Sequence, residues 1–353
     1  MIEIDGSYGE GGGQILRTAV SLSTLTMKAV RITNIRAGRP KPGLQKQHIA
    51  GIKVTGKIVN AEIKGLTVGS TCVEFVPHER QGGTIIYDVG TAGSISLVLQ
   101  AALLPAILSP DRISFRLKGG TDVKWSPPVD YMREVFAHTL KYLGPNIKIL
   151  QKKRGHYPKG GGEVICDVTP VRDVNALEAV KLGNLNRIGG ISHCVRLPDH
   201  VAERQATAAE DVIFKRLNIH AKITRESYDK SDDPHLGPGS GIVVWAESEH
   251  GIRMGTDALG ERGKSAESVG NEAATQLVPE VLSGFAIDSH LCDMLIPYLA
   301  IAPDNSRIGV TKVTSHLATN IWVVERLLGA EIELDGKIGE SGTVLVRGVG
   351  VSL

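Results

Sequence analysis

The sequence predicts an α/β (α+β) protein. It should have a large domain of three β-α-β-α-β-β repeats over 1–183 and 284–353, and a smaller α/β domain at 184–283 inserted in the third repeat. Three observations lead there. Segments with the strand period of two alternate with segments that carry apolar residues at helical spacing. One order of elements recurs after roughly 80 to 90 residues, and such a fixed period marks internal duplication. A third copy starts at 177 and resumes only near 287, so the residues between read as an insertion.

In the first copy a strand at Ile2–Asp5 runs into the turn Gly9-Glu-Gly-Gly-Gly13 and a helix over Gln14–Leu25. Ile15, Leu16, Ala19, Val20 and Leu22 form the apolar face of that helix, and Gln14, Arg17, Thr18 and Ser21 the polar one. A strand (Lys28–Arg36), a helix (Leu44–Gly56) and strands at Glu62–Lys64 and Thr71–Val76 follow. The second copy reads strand Thr84–Val89, turn Gly90-Thr-Ala-Gly-Ser94, helix Ile95–Leu108, strand Arg112–Leu117, helix Val129–Leu143, and strands Asn146–Leu150 and Glu163–Val168. The third begins at Leu177–Leu182. It continues with helix Ile287–Ala302, strand Ser306–Val310, helix His316–Leu328, and strands Ala330–Leu334 and Gly342–Arg347. The insertion offers strands at Gly190–Leu197, His220–Glu226, Gly241–Ala246 and Arg253–Ala258, with helices at Val201–Leu217 and Ala266–Leu282.

The formal charge is +2 and charged residues are 22% of the 353, which excludes a polyelectrolyte; a nucleic-acid site must be a local basic cluster. The 41 glycines and 4% aromatics point to many tight turns and aliphatic cores. Cys72, Cys166, Cys194 and Cys292 form no C-x-x-C, so they are expected reduced and buried, and zinc is not expected on that ground. No signal-peptide pattern opens the chain, and the most apolar run, Leu97 to Leu108, is too short to span a membrane and contains Gln100 and Pro105. The expectation is a soluble, cytoplasmic protein with no membrane partner.

The glycine turn at 9–13 lets backbone approach a ligand, and the helix start behind it offers free N–H groups to an anion. Glu10 could hold a divalent metal, and Arg17, two turns along, a phosphate. The spacing fits neither G-x-G-x-x-G nor G-x-x-x-x-G-K-[ST]. The plain alternative is a turn joining a strand to a core helix. Ser315-His-Leu-Ala-Thr-Asn320 reads as a capped helix start, with Ser315 as N-cap and His316 at the first helical position. There the positive helix end favours a neutral, nucleophilic imidazole. Arg36, Arg39, Lys41 and Lys46 cluster in Ile35-Arg-Ala-Gly-Arg-Pro-Lys-Pro-Gly-Leu-Gln-Lys-Gln-His48, which taken alone could be a solvated basic loop. Gly260-Glu-Arg-Gly-Lys-Ser265 ends like a P-loop, but its first glycine is replaced by Ala258.

Together these motifs closely resemble the RNA 3'-terminal phosphate cyclase family, from Gly9 to the final strands. The resemblance rests on G-E-G-G-G-Q-I-L-R at the start, the basic block ending Gln47-His48, Gly90-Thr-Ala-Gly-Ser94 followed by Gln100, and Gly119-Gly-Thr-Asp122. It continues through Pro127-Pro-Val-Asp-Tyr131, Arg154-Gly-His-Tyr-Pro-Lys-Gly-Gly-Gly-Glu163, His290-Leu-Cys-Asp-Met294 and Ser315-His-Leu-Ala-Thr-Asn320. It implies a large domain similar to the C-terminal domain of a bacterial translation initiation factor. It implies ATP, with Mg²⁺ or Mn²⁺, and an RNA carrying a 3'-terminal phosphate as partner. His316 would be the adenylated nucleophile. Gln100, Pro127, Tyr131, His290, Leu291, Cys292, Asp293 and Met294 would line the ATP site, with Pro127 and Tyr131 able to stack on a purine. Asp293 would orient His316 or help with the metal, and Glu10 would be the metal ligand. Arg17, Arg36, Arg39 and Gln47 would bind phosphates of ATP or RNA. Cys292 and Met294 depart from the family's H-L-A-D-Q. The rival readings are a non-catalytic relative acting in ribosome assembly and a P-loop NTPase working through Lys264.

Overall fold

The computed structural model describes residues 1–351. Three of its four sheets share one construction. The first holds β1 (Ile2–Asp5), β2 (Val30–Thr33), β3 (Glu62–Lys64) and β4 (Val73–Val76), in the order β1-β2-β4-β3. The second holds β5 (Gly83–Asp88), β6 (Ile113–Gly119), β7 (Asn146–Lys153) and β8 (Gly162–Thr169), in the order β5-β6-β8-β7. In each the first pair is parallel and the other two antiparallel. Parallel neighbours need a crossover, and helices α1 (Gly13–Thr26) and α3 (Ile95–Ile107) supply it. Helix α2 (Lys46–Lys57) and residues 129–143 follow in the same place in each unit. The latter comprise α4 (Val129–Tyr131), a π-turn at Met132–Phe136, α5 (Ala137–Leu140) and a 3₁₀ turn at Lys141–Leu143.

Between the second unit and the rest of the third stands a different sheet. It is made of β10 (Leu185–Val195), β11 (Lys222–Glu226), β12 (Gly239–Ser248) and β13 (Arg253–Leu259), ordered β11-β10-β12-β13, with α6 (His200–Leu217) and α7 (Ala266–Leu282). The third unit opens with β9 (Glu178–Ala179), only two residues long. It pairs in parallel with β14 (Ser306–Val310), and that sheet is completed by β15 (Glu331–Asp335) and β16 (Gly342–Arg347), in the order β15-β16-β14-β9. The Leu182 N–H donates to the Gly284 carbonyl at 2.9 Å, so the chain leaves for the insertion and returns at one point. Helices α8 (Leu291–Ile301) and α9 (Ser315–Leu328) follow.

Two hydrophobic clusters hold these parts. In α3 every residue but Gln100 is buried, at about 1.5–3 kcal/mol per large aliphatic side chain. Helix α1 packs against α2, α3 and α9, and α8 against α9. On β12, Ile242, Val244 and Ala246 face a second cluster with Ala206, Ile213 and Leu277, while Val243 and Trp245 join the first. Burial on both faces explains why this strand reads as a continuous apolar run rather than an alternating one. Three of the four free cysteines are buried and Cys72 is half-buried, which corrects the expectation for that residue. No described helix is long and apolar enough to cross a membrane.

Candidate active site

The glycine turn between β1 and α1 is clamped to α9. The Tyr8 ring stacks on Trp322, centroids 4.0 Å apart and planes 12° from parallel. At Gly9, φ is +55° and a Cβ would fall 2.4 Å from Thr319 Oγ1, so only glycine lets the turn seat there. The clamp delivers Glu10 to the start of α9. That helix is capped by Thr314, whose Oγ1 accepts from the Leu317 N–H at 3.0 Å, rather than by Ser315. His316 is therefore the second helical residue, not the first, because the extended backbone lies at 314.

His316 Nδ1 meets two acceptors, Glu10 Oε2 at 2.7 Å and Gln14 Oε1 at 2.6 Å. An imidazole nitrogen between two acceptor oxygens carries the proton, which leaves Nε2 with its lone pair. Burial lowers the His316 pKa below its ordinary value; the Glu10 charge opposes this, and Arg17, His290 and Arg39 add to it. The ring is thus neutral near pH 7 and fixed in one tautomer. Gln14 in turn donates from Nε2 to Asp293 Oδ2 at 3.0 Å. Asp293 reaches the histidine only through this amide. Burial pushes the Asp293 pKa up to about 7, against the His290 and Arg17 charges. Asn320 ties the elements together, accepting from Thr18 Oγ1 at 2.6 Å and donating to the Asp293 carbonyl at 2.5 Å.

Behind Gln14 a cleft runs between α1, α3, α8 and α9, lined among others by Arg17, Gln100, Asp293, Met294 and Asn320. Arg17 Nε is buried there with no hydrogen-bond partner, and burial lowers the Arg17 pKa to about 10. No side chain caps α1, so the cleft combines an under-satisfied cation with free helix N–H groups, a setting that attracts an anion. Gln100 donates from Nε2 to Met294 Sδ at 2.9 Å, pairing two residues read separately in the sequence. Outside that lining, Arg39 Nη2 lies 3.6 Å from Glu10 Oε1.

Not every expected residue joins this group. Arg36 donates to the Lys41 carbonyl at 2.7 Å and the Gly43 carbonyl at 3.0 Å, which makes it a brace of the basic loop. Gln47 sits on the first turn of α2 against Gly93. Tyr131 is 1% exposed and its hydroxyl donates to Asp288 Oδ1 at 2.8 Å, so the ring is a core ring and not one open to a purine. The Pro-Pro pair signals a helix start there, with Pro128 preceding α4 and Pro127 half-buried. Leu291 and Cys292 are buried, and His290 is exposed at the start of α8, its N–H donating to Asp288 Oδ1 at 2.9 Å. Lys264 Nζ is bound to Glu272 Oε2 at 2.6 Å and to the Leu259 carbonyl, unlike a phosphate-loop lysine.

Two participants were not anticipated. Gln14 was visible only as a polar position of α1, though it lies within G-E-G-G-G-Q. His48 is buried, accepts at Nδ1 from the Gln45 N–H at 3.0 Å, and has its pKa lowered to about 3 by burial and by the Arg17 and Arg36 charges.

A family model described as RNA 3'-terminal phosphate cyclase matches residues 8–334. The chain belongs to the RNA 3'-terminal phosphate cyclase family. Among similar proteins, one named RNA 3'-terminal phosphate cyclase from Methanopyrus kandleri is 55% identical over 98% of this chain and 99% of its own. Proteins of that name from Pyrococcus abyssi (50% identical, 98% of each chain) and Ignicoccus hospitalis (48%, 99% of each) are similar over the same extent. Of solved structures, the enolpyruvyl transferase NikO from Streptomyces tendae aligns over 99% of this chain and 81% of its own, at 10% identity and a TM-score of 0.23, too weak to bear on the fold.

Proposed function

We propose that the chain uses ATP to convert an RNA 3'-terminal phosphate into a 2',3'-cyclic phosphodiester, and that His316 carries AMP in between. The observation that carries this reading is the pair of acceptors on His316 Nδ1, which leaves Nε2 free as a nucleophile. Nε2 attacks the α-phosphorus of ATP and pyrophosphate leaves. An oxygen of the RNA 3'-phosphate then attacks the same phosphorus, breaking the N–P bond and giving RNA-(3')pp(5')A. Finally the neighbouring 2'-hydroxyl attacks the 3'-phosphorus and AMP departs. The last step is intramolecular, so the reacting oxygen is already in place.

Arg17 and the open end of α1 suit phosphate oxygens of ATP, and Gln100 with Met294 suits the nucleoside side of the same cleft. Glu10 fits Mg²⁺ or Mn²⁺, ions that take one or two carboxylates and complete their shell with phosphate oxygens. Its carboxylate is one-third exposed, and Oε1 has only the 3.6 Å contact to Arg39. Such an ion would offset phosphate charge. The test is labelling: protein incubated with ATP and Mg²⁺ or Mn²⁺, then denatured, should retain the α-label and not the γ-label.

Two further outcomes are expected. Arg39 is partly exposed and does not line the cleft, so it is assigned to the RNA phosphate. Arg39→Ala should form the covalent adenylate normally and cyclise about ten- to a hundredfold more slowly, the loss of a charge-assisted contact of about 1.5–3 kcal/mol. If adenylation slows equally, the residue belongs to ATP. Adenylation should also persist below pH 6.5, the ordinary imidazole value, because the His316 pKa is lowered and only the neutral ring attacks. Glu10 is the charge that raises this pKa, so in Glu10→Gln the fall-off should move to still lower pH. A wild-type midpoint at or above 6.5 in the pH profile of label formation would contradict the geometry.

A further inference from the structure

Away from His316, the insertion meets the second repeat through buried histidines that the mechanism does not use. Asp122 follows β6, His156 lies in the connection between β7 and β8, and His193 is on β10. One ligand atom from each lies within 4.8 Å of the other two. His193 Nε2 is 3.3 Å from His156 Nε2 and 3.8 Å from Asp122 Oδ1. Tetrahedral coordination at about 2.0–2.1 Å from the metal sets neighbouring donor atoms about 3.3 Å apart. The spacing therefore fits a small ion at the centre of the three.

The surroundings fit it as well. All three residues are under 9% exposed. Both rings sit against glycines of β12: a Cβ at Gly239 would fall 2.1 Å from His156 Cγ, and one at Gly241 3.0 Å from His193 Cε1. Asp122 is oriented by Thr121 Oγ1, which donates to Oδ2 at 2.6 Å, an arrangement typical of ligand carboxylates. Arg154 also approaches Asp122, at 3.4 Å, but it is bonded to Glu226 at 2.7 and 2.9 Å and lies 2.7 Å from Asp130 Oδ2. Glu226 already neutralises it, and Asp130 is shared with Arg133 at 2.7 Å, so the Asp122 charge remains for a cation. His235 stands outside this group of three, and it is buried as well. Its Nδ1 pairs with Asp233 Oδ1 at 2.7 Å, and its Nε2 is buried with no partner.

We infer that Asp122, His156 and His193 bind one Zn²⁺ that fastens the inserted sheet to the second repeat, with the fourth position left to a non-protein donor. The absence of C-x-x-C argued only against a thiolate site. These ligands are scattered from 122 to 193, and no spacing rule connects them. The competing account is a plain hydrogen bond between the two imidazoles. The ion is structural and separate from the metal that would accompany ATP at Glu10.

Protein produced with zinc in the medium and dialysed without chelator should carry about one zinc per chain by mass spectrometry of the metals. Metal-free protein given Co²⁺ should develop the intense visible bands of a tetrahedral site. Zinc should raise the Tm of wild-type protein, and not that of His193→Gln or His156→Gln, while both variants still label with ATP and Mg²⁺. Wild-type protein with only background zinc, no cobalt bands and one Tm in zinc and in chelator would overturn the site. So would zinc retained in full by both variants. If a variant fails to fold, the three wild-type measurements decide alone.

Discussion

His316→Asn is expected to abolish covalent labelling by α-labelled ATP, while wild-type protein labels to near stoichiometry. Asparagine keeps a polar side chain at the second position of α9, next to the Thr314 cap, so the helix start should survive. It removes the one nitrogen that Glu10 and Gln14 leave free to attack. An amide cannot replace it, so the expected loss is complete rather than graded. The wild-type adduct, a phosphoramidate on a histidine, should be labile in acid and stable in alkali. Lys264→Ala should label like wild type, because that lysine is bound to Glu272 within the insertion. Labelling that persists in His316→Asn would sink the central claim. ATP hydrolysis lost with Lys264→Ala but kept with His316→Asn would favour a phosphate-loop NTPase. No label in any form, wild type included, would favour a non-catalytic relative.

What the sequence makes legible depends on how local the cause is. The bounds of β1, α7, β14 and β16 agree with those read from pattern alone, because turn residues and caps flank them directly. The strand expected over Leu177–Leu182 shrinks to two residues, since the chain there is leaving one sheet for another. Residues 129–143 read as one helix but contain a π-turn, a departure from the regular period that no local signal marks. At the site, His316, Glu10, Arg17 and Asp293 could be singled out by type and motif. Gln14 could not, because its value lies in spanning from His316 on one helix to Asp293 on another. Tyr131 shows the reverse. Its type suits stacking on a base, yet its hydroxyl is held by Asp288 some 157 residues away, a partner invisible from the sequence around it.

That division of labour around His316 yields a second large effect, one that appears only in combination. Nδ1–H has two acceptors, so removing either leaves the other to hold the tautomer. Gln14→Met keeps the side-chain length without the amide and also strips Asp293 of its donor. It should slow adenylation by about tenfold, the low end for the loss of an orienting partner, because Glu10 still holds Nδ1–H. Glu10→Ala should cost a similar factor. The double variant leaves Nδ1–H unbound, and the proton can move to Nε2, the attacking nitrogen. A wrong-tautomer histidine costs about 10⁴-fold in a protease triad, so the combined loss should exceed the product of the two single losses. Single-turnover rates of label formation, with ATP saturating, measure all four forms. Titrating Mn²⁺ separates the roles of Glu10: a deficit that shrinks as the metal rises belongs to metal binding, and one that does not belongs to the imidazole. Losses that merely multiply, with the Glu10→Ala deficit fully restored by Mn²⁺, would show that the two acceptors do not share the task of fixing the tautomer.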